Sequence, residues 1–397
     1  MTDRKKIPAQ DTMVREAESY LEECPDAHMG AVVVEDGKEK IAMNSTAYVP
    51  LFRHPKVVEA VEKDLSLYGV GAGSRYNMGH VKIVRELEER LADLTGTEEA
   101  VVFPSGYNLN LGVDSPAFGE NPYFIADQRN HPSILSGIRL SAARNLGGNW
   151  GSNYSRYISN DMENLESFLK INDEKDNKWI LTVGTYGPLG RSADIVNIVA
   201  LAEKHSTRIF LDDVHYFWVY GPNLCGLTDH YSIRVDILMG SFKAFGMPGA
   251  FAVGKKDIIS QLRFSEPYIF SIGLLPILCR AALTGIDIIY SDEGRELVEQ
   301  LWKNAEMLSD GLARTGLRLI SDSSTQMVCF RIEGEQKAMD FIKDTKTRGL
   351  IVQPYFYPAV PRGAGHVRLT PVAAHKREHI EKTVETIAEA GSKIGII

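Results

Sequence analysis

Cysteine is scarce: only Cys24, Cys225, Cys279 and Cys329 occur in 397 residues, far apart and with no CxxC pair. That spacing supplies neither a zinc site nor a disulfide framework, so no metal is expected and the thiols read as reduced residues in or near the core. Long apolar runs are missing too. The longest, residues 268–279, is broken by Ser271, Gly273 and Pro276 and ends at Arg280, too short to span a bilayer. No basic tract is present, and 44 Lys+Arg against 52 Asp+Glu give a formal net charge of -8, which argues against a nucleic acid partner. The opening MTDRKKIPAQDTMVREAESYLEE begins basic but lacks the apolar stretch of a signal peptide, so a cytoplasmic location is expected. There is no internal repeat and no low-complexity segment.

What is present is an ordinary globular composition, 44% hydrophobic, enough for a large core and incompatible with a disordered or fibrous chain. Residues 13–23 have the period of an amphipathic helix, and residues 30–43 alternate as a hairpin turning at Asp36-Gly37. From about residue 55 helices alternate with short apolar strands. A helix over 84–94 precedes a strand at 99–103 and a helix after Gly106. Further strands are expected at 123–126, 179–183, 209–211, 237–239 and 250–253. Such alternation predicts an α/β fold with a mostly parallel central sheet covered on both faces. Beyond Pro276 the order becomes helix first, with Leu297, Leu301, Ala305, Leu308 and Leu312 at helical spacing and Ser291 or Asp292 as cap. Strands at 327–332 and 366–370 and helices at 336–347 and 376–390 complete a smaller α+β domain. The expected organisation is an arm (1–54), a large domain (55–285) and a small C-terminal domain (286–397).

Asp212, His215 and Lys243 all fall just after apolar strand cores, where a doubly wound sheet places its ligands. Singly, a strand-end aspartate is usually a helix cap and a lysine usually solvated. One aspartate and one lysine at the ends of neighbouring strands, however, are what a pyridoxal phosphate enzyme needs: the lysine holds the cofactor as a Schiff base and the aspartate keeps the pyridine nitrogen protonated. FPSGYNLN, residues 103–110, leads from a strand into a helix start whose exposed amides suit an anion, though Gly106 could equally serve a plain turn. GVGAGSRYNMG, residues 69–79, permits close backbone approach or a surface loop, and is no Walker or Rossmann fingerprint.

Taken in order, GVGAGSR, FPSGY with Asn110, RNHPS (129–133), DDVH (212–215), SFKAFG (241–246) and VPRGAGHVRLT (360–370) resemble the α-oxoamine synthases, fold-type-I pyridoxal phosphate enzymes, from about residue 45 to the C-terminus. The resemblance implies that His131 stacks on the pyridine ring, Asp212 pairs with its nitrogen, His215 bonds the phenolic oxygen and Lys243 carries the cofactor. It implies that Ser105, Gly106, Tyr107 and Ser241 contact the phosphate, and that Ser271 reaches the phosphate of a neighbouring subunit in a homodimer with shared active sites. Arg368 would bind the amino acid carboxylate by two parallel hydrogen bonds, with Thr46 near the substrate.

The reaction implied is a decarboxylative condensation of an amino acid with an acyl thioester, borne by coenzyme A or an acyl carrier protein, to an α-amino ketone. An aldolase, decarboxylase or lyase acting on an amino acid alone would show the same aligned residues. A non-catalytic scaffold would not need Lys243. The sequence departs from the family pattern at Val183, Gly187 and Leu189, where Glu, Ser and Asp are usual, and at Gly240, where threonine is usual. Val84 replaces a frequent histidine. Tyr216, Phe217 and Trp218 replace small residues, either as core filling or to reshape the substrate entrance.

Overall fold

A computed structural model of the chain describes residues 25–71, 73–145, 153–357 and 359–397. The helix expected over 13–23, and Cys24, lie outside them. Two compact units emerge: one comprises Thr46–Tyr186 and Ser192–Val298, the other residues up to Ser45 together with Gly187–Arg191 and Glu299–Ile397. Helix Pro276–Ile289 continues through the break expected at 285, because its buried face packs on helices Pro55–Tyr68 and Lys82–Thr95 of the first unit.

The large unit is built on seven strands: β1 (Glu99–Phe103), β2 (Tyr123–Asp127), β3 (Tyr154–Tyr157), β4 (Lys178–Val183), β5 (Arg208–Asp212), β6 (Ile237–Ser241) and β7 (Ala250–Gly254). Their spatial order is β1-β7-β6-β5-β4-β2-β3. Only β7 runs against its neighbours; the other neighbouring strands pair in parallel. Every residue of β4, β6 and β7 is buried. Both faces are therefore covered, and the strands read as continuous apolar runs instead of alternating ones. Helix Lys82–Thr95 turns Ile83, Val84, Leu87 and Leu91 inward and ends at Gly96 in the left-handed region (φ 60°), the usual stop where a Cβ is unwelcome. Val84 is thus core.

Register fixes what shares an edge. Phe103 faces Ala250, which faces Ser241, and Val183 faces Asp212, which faces Met239. The segments after β1, β2, β4, β5 and β6 therefore leave the sheet along one edge.

In the second unit the expected hairpin forms between Val32–Glu35 and Lys38–Ala42, with Asp36 and Gly37 at φ 51° and 69°, as a two-residue primed turn demands. Its second strand pairs in parallel with Leu350–Ile351. Strands Val328–Glu333, Ala364–Leu369 and Gln353–Tyr355 form an antiparallel sheet. It buries Phe330 and Val367 against Leu308, Leu312, Phe341, Ile380 and Ile387, each such side chain contributing about 1.5–3 kcal/mol. Among the described residues no helix is long and apolar enough to cross a membrane and no metal-binding cluster exists. Cys225, Cys279 and Cys329 are buried free thiols.

Candidate active site

The sheet edge of the large unit brings together some of the residues that sequence singled out, Lys243 with His215 and Asp212 with His131 through Asn110 and Ser133. Lys243 lies in the turn Phe242–Phe245 after β6 and sets its Nζ 3.2 Å from His215 Nε2. The other ring nitrogen of His215 meets the hydroxyl of Tyr48 at 2.5 Å. Tyr48, fully buried, is positioned by its neighbours: Val49 N–H donates to Ala244 O (2.8 Å) and Phe52 N–H to Phe245 O (3.0 Å). One segment therefore orients both the lysine turn and His215.

A second chain of contacts leads through Asp212. Asn110 Nδ2 donates to Asp212 Oδ2 and to Ser133 Oγ, each at 3.0 Å, and Ser133 Oγ meets His131 Nδ1 at 2.5 Å. His131 is exposed as a residue. The protein around its ring nevertheless depresses its pKa through lost solvation; the Asp212 charge opposes this and Lys243 adds to it. The adjacent Asp213 plays a different part. Burial raises its pKa well above the carboxylate range, and its Oδ2 accepts Leu227 N–H at 2.7 Å. A Cβ at Gly184 or Gly226 would fall 1.9 or 2.0 Å from that carboxyl, so both positions must be glycine.

The departures around Lys243 have a packing reason. A Cβ on Gly240 would lie 2.4 Å from the Phe251 ring and 3.0 Å from Phe217; aromatic bulk occupies the place a threonine would fill. Tyr216, Phe217 and Trp218 are all fully buried, so they fill the core beneath the site and do not form an entrance. Trp218 has φ 76°, a strained value for a bulky residue. It is held there by its N–H to Leu224 O (2.8 Å), its Nε1–H to Ser241 O (2.9 Å) and ring contacts with Phe217, Phe245 and Phe251.

Ser105 caps helix Gly106–Leu111, accepting Asn108 N–H at 3.2 Å. Gly106 passes so near Met239 that a Cβ would meet it at 2.9 Å. Tyr107 is 53% exposed. Ser271 donates to Pro267 O, between the exposed Phe270 and Ile272. Thr46 is half-buried two residues before Tyr48, and Val183 is buried at the end of β4. In the second unit Arg368 is 6% exposed. Its Nη1 approaches Gly187 O at 3.5 Å and its guanidinium lies over Tyr355, while Nε has no hydrogen-bond partner among the described residues. Gly187, the departure where serine is usual, thus offers Arg368 its carbonyl.

Sequence reading missed Tyr48, whose segment it used only for Thr46, and gave no role to the side chains of Asn110 and Ser133 that link Asp212 to His131. The donor set fits a pyridoxal phosphate: an amine, a carboxylate, two imidazoles, and two buried oxygens, Ser241 Oγ and Asn110 Oδ1, with no hydrogen-bond partner among the described residues.

Comparison with known proteins agrees. Residues 38–387 match the family described as aminotransferase class I and II. The chain is 34% identical to 8-amino-7-oxononanoate synthase of Treponema denticola, covering 92% of this chain and 91% of that one. It is 32% identical to serine palmitoyltransferase of Bacteriovorax stolpii, covering 91% and 84%. Serine palmitoyltransferase of Sphingomonas wittichii superposes with a TM-score of 0.88 at 27% identity over 98% of each chain. A structure of SPT with its PLP internal aldimine gives 0.88 at 28% over the same share. The chain therefore belongs to the aminotransferase class I and II family, in its α-oxoamine synthase branch. Its fold is that of the fold-type-I transferases, and pyridoxal phosphate is its cofactor.

Proposed function

We propose that the protein is a pyridoxal phosphate-dependent acyltransferase that condenses an amino acid with an acyl thioester and releases carbon dioxide, giving an α-amino ketone. The observation that carries this is the approach of Lys243 Nζ to His215 Nε2 (3.2 Å) beside an Asp212 held by Asn110 (3.0 Å), in a chain related to 8-amino-7-oxononanoate synthases and a serine palmitoyltransferase. When bound, the cofactor supplies a protonated ring that withdraws electrons from the substrate's α-carbon.

The protein's residues do the rest. Lys243 Nζ would hold the cofactor and, as the amine at the site, would also be the base for the α-proton. Asp212 accepts the ring N–H, fixed by the Asn110 amide. His131 would stack on the ring, and His215, held by Tyr48, would donate to the phenolic oxygen. Ser105, Gly106, Tyr107 and Ser241 receive the phosphate; the unspent Ser241 hydroxyl supports this. Arg368 binds the amino acid carboxylate through the fork that includes its unspent Nε, with Thr46 beside the substrate.

A homodimer in which Ser271 serves the neighbouring active site is supported by the exposed apolar side chains around it. Tyr76 and Phe270, 72% and 70% exposed, stack at 5.8 Å. The acyl carrier is coenzyme A or an acyl carrier protein. The test is to incubate the loaded enzyme with glycine, alanine, serine and other amino acids plus a panel of acyl thioesters, reading products by mass spectrometry. Release of free thiol and carbon dioxide together is expected. Turnover of an amino acid without thioester would instead establish an aldolase, decarboxylase or lyase.

A further inference from the structure

We infer that Asp127 is a positioning residue for the reaction: through Tyr186 and the turn it closes, it holds His131 in line with Asp212. This rests on the reading that His131 stacks on the cofactor. Asp127 ends β2 and is fully buried. Its Oδ1 accepts the Arg129 N–H at 2.7 Å and the Ser159 hydroxyl, and its Oδ2 accepts the Tyr186 hydroxyl at 2.8 Å. Three donors converge on one carboxylate. A carboxylate, with two acceptor oxygens and no donor, is the side chain that can satisfy them together; an amide would turn an NH2 toward at least one.

What this anchors is short and leads straight to the histidine. Asn130 N–H donates to Asp127 O at 3.2 Å, and Asn130 Nδ2 donates to Leu181 O at 2.7 Å, tying the turn to β4. One residue further on, His131 meets Ser133, which Asn110 links to Asp212. The turn is therefore fixed at both ends, by Asp127 before it and by the Ser133–Asn110–Asp212 contacts after it. Tyr186 belongs to VGTYGPLG, the stretch in which Val183, Gly187 and Leu189 depart from the family pattern. Its hydroxyl reaches Asp127 Oδ2 at 2.8 Å and Asn160 Oδ1 at 3.1 Å, tying the residue to the start of the turn that precedes His131.

The test compares Asp127→Asn and Tyr186→Phe with His131→Ala. Visible circular dichroism of the loaded enzyme reads the ring environment, and amide hydrogen exchange of residues 128–134 in the cofactor-free protein reads the turn. Expected are faster exchange at 129–131 and a dichroism change in the direction of His131→Ala, larger for Asp127→Asn than for Tyr186→Phe. The kcat should fall about tenfold for Asp127→Asn, the value of one charge-assisted hydrogen bond. Combined with His131→Ala, it should cause little further loss, since residues acting as one unit are not additive. Unchanged dichroism and additive rate losses, with only a lower melting temperature, would reduce Asp127 to a fold residue and overturn the inference. If His131→Ala itself leaves the dichroism unchanged, the stacking reading falls and the inference with it; if only Asp127→Asn and Tyr186→Phe do, the inference falls alone. Tyr186→Phe, nearly the same shape, carries the comparison should Asp127→Asn not fold.

Discussion

Two regions of the large unit bury polar groups, and they treat them differently. At the helix-covered side of β1, Glu88 accepts Val102 N–H at 3.0 Å and pairs with Arg263 at 2.7 Å, while Arg263 also reaches Glu99 at 2.9 Å. Arg75 lies over the Tyr268 ring at 3.7 Å and donates to Val102 O. Burial raises the Glu88 pKa, and the Arg263 charge opposes it. Opposite charges pair there, although Arg75 Nη1 and Arg263 Nη1 have no hydrogen-bond partner among the described residues. At the β5–β6 edge, by contrast, Ser241 Oγ and Asn110 Oδ1 are buried without hydrogen-bond partners among the described residues. A group that stays so in the native state loses its solvation for nothing unless something else meets it. What separates the two is their chemistry: the first pairs opposite charges with one another, whereas the second sets uncharged open oxygens beside the amine of Lys243 and the carboxylate of Asp212, the composition proposed above to receive a ligand.

The strongest way to break that contrast is Lys243→Ala. The loaded enzyme should lose its visible absorbance band, and thiol release should fall about a thousandfold or more, as for removal of a covalent catalytic group. The melting temperature of the cofactor-free protein should stay put, because Lys243 is only half-buried. A large stability loss with retained absorbance would reverse the assignment of the two regions.

Arg263→Met attacks the other side. It leaves Glu88 buried without its cation, a change that costs about 3–5 kcal/mol when a buried pair is broken. Denaturant unfolding should show the loss, and kcat of the remaining folded enzyme should be unchanged. Adding Glu88→Gln should restore much of the stability, since the uncompensated charge is then gone. Equal losses in the single and double variants would mean that the ion pair is not what holds this corner.

The same contrast explains what could be read from sequence. The core strands were legible because continuous apolar runs such as WILTV and AFAVG bear the mark of a two-faced sheet, and the hairpin because Asp36-Gly37 is a primed-turn pair. Asp212, His215 and Lys243 stood out as candidates because their chemistry is distinctive at strand ends, and the fold does bring Lys243 to His215. Tyr48 was not: a tyrosine in an irregular segment looks like core, and only the backbone pairing of Val49 and Phe52 with the lysine turn brings it to His215. Nor could sequence tell that Gly240 is small because Phe217 and Phe251 fill its space, or that Asp213 differs from its neighbour Asp212. Those distinctions arise from packing between segments distant along the chain.

The mildest test concerns a histidine remote from the cofactor chemistry. His375 in the second unit is 2% exposed and accepts Val372 N–H at 2.9 Å; burial, with a smaller push from His379, lowers its pKa from 6.5 to about 4. In the unfolded chain it titrates near 6.5, so between that pH and about 4 the unfolded state binds a proton that the native state refuses. Stability then rises with pH across this window and is lost on acidification. His375→Gln, which keeps an acceptor without a titrating ring, should flatten that part of the unfolding free-energy profile, measured by urea titration at stepped pH. An unchanged slope would show that His375 does not drive the acid loss. The variant should leave the pH dependence of thiol release untouched, separating a histidine that serves the fold from His131, for which a role in the site is proposed.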